Sequence, residues 1–198
     1  DVGSTKGNVV DAARRVFGDV PTHFIPAHPI AGSEQSGVLA GKVDLFKGHK
    51  VIITPLAHSN PQASQQVKQL WQAAGADVLI MTVERHDEVL AKTSHLPHFL
   101  AFSLVDTLAK ESQNLDVFRY AAGGFRDFTR IAGSDPTMWH DIFLANKASI
   151  LNALTSFNSG VEQLKAAVEA EDSEAILGIL TRAQAARHHF THMLAGTA

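Results

Sequence analysis

KVIITPLAHSNPQASQQVKQLWQAAGADVLIM, residues 50–81, decides the fold. It opens and closes on short runs rich in Val, Ile and Leu, residues 50–54 and 77–81, which read as strands, and the pattern over 61–74 between them predicts a helix. A strand, a helix and a strand in this order imply a βαβ unit and a parallel sheet. Toward the N-terminus the same alternation continues, with a helical pattern over 6–17 and a third strand-like run over 23–27. Three strands are few for a sheet of this class. DVGSTKG, residues 1–7, has no initiating Met and reads as the end of a strand and its turn, so the sequence predicts that the sheet begins in a preceding part. After about Glu84 the strand signals stop. The expectation is therefore an α/β part over 1–82 followed by an all-α part over 83–198.

In the second part Asp135-Pro136 is a good helix start, a capping carboxylate followed by Pro in the first turn. From there Phe143, Ile150, Leu154, Phe157, Val161, Leu164 and Val168 recur at steps of seven, then four and three, a heptad-like seam on one long helix. Such a seam packs either inside its own domain or against a second subunit. A further helix over 173–193 follows a break at Glu171-Asp172.

Composition removes several classes of function. Seventeen Lys and Arg stand against 20 Asp and Glu, a balance without the basic footprint of a nucleic-acid binder. The absence of Cys excludes a thiol nucleophile, a redox pair and a thiolate zinc site, and agrees with a cytoplasmic setting. No apolar run approaches the roughly 18 residues of a membrane span, and no leader opens the chain, so neither a membrane nor an export route is expected. Eleven His in 198 residues is a large supply of side chains that titrate near neutrality.

The glycine fingerprint of a dinucleotide site is absent. GSEQSG at 32–37 has the glycine spacing of a phosphate loop, but Val38-Leu39 stands where the Lys and hydroxyl residue belong. IPAHPIAGSE at 25–34 is more informative. His28 is expected at the C-terminal edge of a strand, where open α/β sheets bind ligands, and Pro26 and Pro29 stiffen its backbone, so it is a candidate general base. TSHLPHF at 93–99 places His95 and His98 on one helical face. No carboxylate stands at the spacing of a metal motif, so no metal is expected and the pair suits an anionic ligand better. AAGGFRDFTRIAGSDPTMW at 121–139 sets adjacent glycines, open to close ligand approach, beside Arg126, Asp127 and Arg130. His188, His189 and His192 lie at the end of a helix, where cationic side chains are favoured, and are expected at the surface.

DVGSTKG at 1–7, HPIAGSE at 28–34, SHLPH at 94–98 and GGFRDFTRIAGSDPTMW at 123–139 together resemble the prephenate dehydrogenase family, which includes arogenate and cyclohexadienyl dehydrogenases. The resemblance implies the remnant of a Rossmann-type sheet, lacking the N-terminal fingerprint half, followed by an all-α dimerisation domain. It implies oxidative decarboxylation of prephenate in tyrosine biosynthesis, with hydride passing to NAD or NADP. Arogenate is the alternative substrate, alone or beside prephenate. A non-catalytic dimerisation and ligand-binding fragment is the alternative of another class. By matching position, His28 is the base and Ser4 its partner near the hydroxyl and nicotinamide, with Asp1 and Val2 beside the cofactor. Arg130 holds a carboxylate, His95, His98 and Ser94 line the pocket, and the ligand lies against Gly123. Ser33, Glu34 and Asp127 stand around the pocket entrance, and Trp139 matches a tryptophan able to reach a neighbouring subunit. The implied assembly is a homodimer through the C-terminal helices, with no metal.

Overall fold

The computed structural model describes residues 1–32, 37–111 and 116–195. Val51, Ile52 and Ile53 are each at most 5% exposed, and three apolar neighbours are buried together in a strand only where both its faces are covered. They belong to β2 (Lys50–Ile53), the middle strand of a sheet in the order β1-β2-β3, with β1 at Ala27–Ile30 and β3 at Asp77–Ile80. Val51 and Ile53 join Ile25, Ala27, Ala63 and Ala76 in one core, completed by Phe46, Val67, Trp71 and Val78. A second cluster joins Val10 and Ala13 of α1 (Gly7–Phe17) to Val20, Val83, Phe24 and Leu56.

The βαβ reading of 50–81 holds. β2 and β3 are parallel, joined through α2 (Pro61–Ala73), and Asn60 starts that helix by accepting the Gln62 and Ala63 N–H groups. The all-parallel expectation does not hold, because β1 runs antiparallel to β2. A parallel return needs a long crossover, usually a helix; between Ile30 and Lys50 the described residues hold only a 3₁₀ turn, Val38–Ala40. The first strand also lies later than expected, at Ala27–Ile30 rather than 23–27. It is an outer strand, where Pro29 is tolerated. His28 consequently sits inside the strand, opposite Ile52, and not beyond its end.

From Val83 onward the described residues form no strand. α3 (Val83–Leu90) passes through a π-helical turn, Ala91–His95, into α4 (Leu96–Glu111), and the Leu96 N–H reaches back five residues to the Ala91 carbonyl. In a regular helix the Pro97 ring would press on the Thr93 carbonyl; the wider turn stands just where that conflict would arise. A 3₁₀ turn (Asp116–Tyr120), α5 (Gly123–Thr129) and another 3₁₀ turn (Arg130–Gly133) lead to α6 (Pro136–Ala145). Asp135 caps α6 as expected, accepting from the Thr137 and Met138 N–H groups. The single long helix expected from there is two: Asn146, at φ −112° and ψ 30°, separates α6 from α7 (Lys147–Glu169). Phe143 is thus on a different helix from the rest of the seam. α7 closes at Glu171, in the left-handed region at φ 53°, and the Asp172 carboxylate accepts the Ala175 N–H at 2.9 Å to start α8 (Ser173–Ala195).

The chain divides into two units, residues 1–150 and 151–198. The first holds the sheet and both cores. In the second, Ala153 and Ala167 alone are buried among the described residues. No described helix is long and apolar enough to cross a membrane.

Candidate active site

Lys6 has no exposed surface, and a buried ammonium requires acceptors. Its Nζ donates to the Ala27 carbonyl at 2.6 Å and to the Asp1 carboxylate. Burial pushes its pKa down to about 8, against the attraction of Asp87. These contacts tie the first six residues to the strand immediately before His28. Ser4, half-buried, lies two residues from that tie.

The half-buried His28 ring meets His86 edge-on, with Nδ1 2.9 Å from His86 Nε2 and the ring centres 5.1 Å apart. His86 is wholly buried on α3, and its Nδ1 lies 2.8 Å from Asp87 Oδ1. Asp87 also accepts the backbone N–H of Lys6 at 2.9 Å and of Gly7 at 2.8 Å, where α1 begins. Burial raises the Asp87 pKa, but these hydrogen bonds, His86 first, outweigh it and hold the carboxyl below its usual range. Burial pushes His28 down to about 3; a proton on its ring would also be repelled by the neighbouring basic groups of His86, Lys6 and His95, while Asp87 opposes the shift. The candidate base is thus held as a neutral ring at ambient pH, chiefly by burial.

His95 is buried and faces Asn146, whose Nδ2 lies 3.1 Å from His95 Nδ1 and donates to the Asp87 carbonyl at 2.8 Å. Burial lowers His95 to about 4, with Asp87 opposing. One helical step on, His98 Nδ1 lies 2.9 Å from the Ser94 carbonyl, and its ring stacks on Trp139 at 3.7 Å and 19°. Burial lowers the His98 pKa against that carbonyl contact. Trp139 is 6% exposed, and its buried indole N–H has no acceptor among the described residues. A connected array therefore runs from His28 through His86, Asp87, Asn146 and His95 to Trp139 and His98. Four of its supports, Lys6, His86, Asp87 and Asn146, were not among the sequence candidates. The dipeptide His86-Asp87 was the available signal.

The other candidates lie on different elements. Gly123, Asp127 and Arg130 are exposed, on α5 and the 3₁₀ turn after it, both packed on α4. Asp127 lies 3.4 Å from the guanidinium of its neighbour Arg126. Ser33 and Glu34 fall outside the described residues. His188, His189 and His192 are exposed on α8, as expected. The described residues contain no cluster of three or more potential metal ligands.

For a dinucleotide, the fit is partial. The first amides of α1, the obvious place for a pyrophosphate, are already taken by Asp87. What the chain offers near its first residues is the Ser4 hydroxyl and, tied to Asp1 through Lys6 and the Ala27 carbonyl, the strand that carries His28.

Residues 1–80 match the family described as prephenate dehydrogenase, nucleotide-binding domain, and residues 82–182 match prephenate dehydrogenase, dimerization domain. The chain belongs to the prephenate dehydrogenase family. Among relatives within this family, it is 38% identical over 190 residues to a cyclohexadienyl dehydrogenase of Zymomonas mobilis, covering 94% of this chain and 64% of that protein. It is 44% identical over 178 residues to a prephenate dehydrogenase of Bacillus subtilis, covering 88% and 47%. The solved prephenate dehydrogenase of Aquifex aeolicus in complex with hydroxyphenyl propionate and NAD+ superposes with a TM-score of 0.88 at 40% identity, over 96% of this chain and 66% of that one. The chain thus spans about half to two thirds of the length of these family members.

Proposed function

We propose that this chain supplies the base, the substrate pocket and the dimer-forming helices of an enzyme that converts prephenate to 4-hydroxyphenylpyruvate with NAD or NADP, in the cytoplasm. The neutral, hydrogen-bonded His28 carries this reading. In it, residues 1–82 complete the nucleotide-binding part and residues 83–198 form the substrate-binding and dimerisation part. The bound nicotinamide supplies the hydride acceptor. As hydride leaves the ring carbon that bears the hydroxyl, that hydroxyl becomes strongly acidic, so even a weak base such as His28 takes its proton. The ring carboxylate then departs as CO₂, its electron pair aromatises the ring, and His28 returns the proton to the resulting phenolate oxygen. A base that releases its proton readily suits this return.

Ser4 hydrogen-bonds near the same hydroxyl, with Asp1 and Val2 beside the nicotinamide. Ser94, His95 and His98 line the pocket; the neutral His95 ring accepts from Asn146 at Nδ1 and so keeps an Nε2 proton to donate to an anionic substrate, and Trp139 backs His98. Gly123 and Arg130 receive a carboxylate, while Ser33, Glu34 and Asp127 lie at the entrance. The test is steady-state kinetics on the full-length gene product with prephenate and arogenate, each with NAD+ and NADP+. His28→Asn should lower kcat with prephenate by about 10²- to 10⁴-fold and leave KM nearly unchanged. Near wild-type turnover would remove His28 as the base, and a kcat/KM favouring arogenate would replace the substrate.

A further inference from the structure

We infer that Asp87 and His86 are positioning residues that fix the tautomer of His28 and so decide which of its nitrogens can accept a proton. The inference rests on the reading of His28 as the base.

Asp87 accepts two backbone N–H groups at the start of α1, and an anion is favoured there by the helix dipole as well. A carboxylate has no proton to give, so the 2.8 Å contact between Asp87 Oδ1 and His86 Nδ1 requires the proton on His86 Nδ1. A neutral ring protonated at Nδ1 has its lone pair on Nε2. The 2.9 Å contact between that atom and His28 Nδ1 therefore requires His28 to donate. With its own proton on Nδ1, His28 keeps Nε2 bare, and Nε2 is the ring nitrogen not engaged by the protein in this array. When Nε2 takes up a proton, the positive charge faces Asp87 through a hydrogen-bonded ring. A base oriented by a second group is the general arrangement of such sites.

Geometry limits the alternatives. His86 has no exposed surface, so water cannot exchange for either of its partners. Were it protonated on both nitrogens, His28 Nδ1 would become the acceptor and Nε2 would carry the proton, leaving no base. Lys6 and His95, the other titratable groups near His28, offer no acceptor that would restore the productive tautomer: Lys6 is committed to Asp1 and the Ala27 carbonyl, and His95 to Asn146.

Asp87→Asn reverses the chain. With the amide nitrogen in place of Oδ1, at the loss of the Lys6 N–H contact, it would donate to His86 Nδ1, His86 would then carry its proton on Nε2, and His28 Nδ1 would have to accept. The measurement is ¹⁵N NMR of the histidine-labelled protein at neutral pH, where protonated and bare imidazole nitrogens resonate far apart. The His28 signals are assigned as those missing from His28→Asn. Wild type should show a proton on His28 Nδ1 and a bare Nε2; Asp87→Asn should show the opposite, with kcat reduced at least about 10²-fold and KM little changed. His86→Gln, which removes the relaying ring, should give His28 no fixed tautomer. Thermal melting identifies any variant that has not folded. A bare Nδ1 in wild type, or an Nδ1 proton retained in both folded variants, would overturn the inference. If the tautomer reverses in Asp87→Asn while turnover is kept, the relay stands and it is the reading of His28 as the base that fails.

Discussion

A histidine that is neutral in the folded chain and free to ionise in the unfolded one makes stability depend on acid. His28 and His95, held near 3 and 4 by burial, are two such residues, and His98 is lowered in the same direction. Between the ordinary histidine value near 6.5 and these lowered values, the unfolded chain binds protons that the folded chain refuses, so stability must fall as pH falls. Each fully neutral ring adds a slope of up to about 1.4 kcal/mol per pH unit in that window. The expected outcome is a denaturant midpoint that drops steadily from pH 7 to pH 4, with a shallower slope in His95→Asn; a flat profile would contradict the buried neutral rings. Of these residues, His28 stood out in the sequence because it lies between Pro26 and Pro29, and His95 and His98 because their spacing puts them on one helical face. His86 and Asp87 did not, since VERHDEVL reads as an ordinary surface helix. Their burial comes from the start of α1 and from Asn146, 80 and 59 residues away in the chain, and no local pattern reports such distances.

Elements meet at this site by their ends. The start of α1 is capped by Asp87 from α3, and the break between α6 and α7 is the residue that joins α3 to the π turn. Asn146 bonds the Asp87 carbonyl and His95 with one amide group while being 5% exposed. Asn146→Ala would leave both buried acceptors without that donor, so a loss of about 1–3 kcal/mol is expected, read as a lower denaturant midpoint at unchanged slope. A loss below about 0.5 kcal/mol would mean that the junction holds without the amide. Sequence periodicity runs through this junction without a mark, because apolar residues keep their spacing across Asn146 and neither Pro nor Gly interrupts them. The antiparallel direction of β1 is itself legible in the sequence. Nothing helical separates residues 30 and 50 in the sequence pattern, and a parallel pair needs such a crossover. The βαβ unit itself was legible because α2 and both flanking strands carry complete local signals.

At the scale of the molecule, the helical unit beyond residue 150 leaves several large apolar side chains open. Phe157, Val161 and Val168 are 39%, 44% and 56% exposed, and Leu177 and Leu180 on α8 are 65% and 52%. Large apolar side chains left open in this number are a feature of interaction surfaces, and the family model that residues 82–182 match is described as a dimerization domain. The seam from Leu154 to Val168 was visible in the sequence; whether it faced inward or outward was not, because periodicity reports a stripe and not what covers it. A second copy of the chain is the occupant we propose. Leu180→Glu places a carboxylate on that surface, on a side chain already half open to solvent, so the single chain should keep its helix content and fold. Sedimentation equilibrium should then give about twice the 21.3 kDa chain mass for the 198-residue wild type and the single mass for the variant at the same concentration. A wild-type chain that stays single at tens of micromolar would sink the dimer. A variant that remains double would move the interface away from α8, toward the exposed stripe of α7.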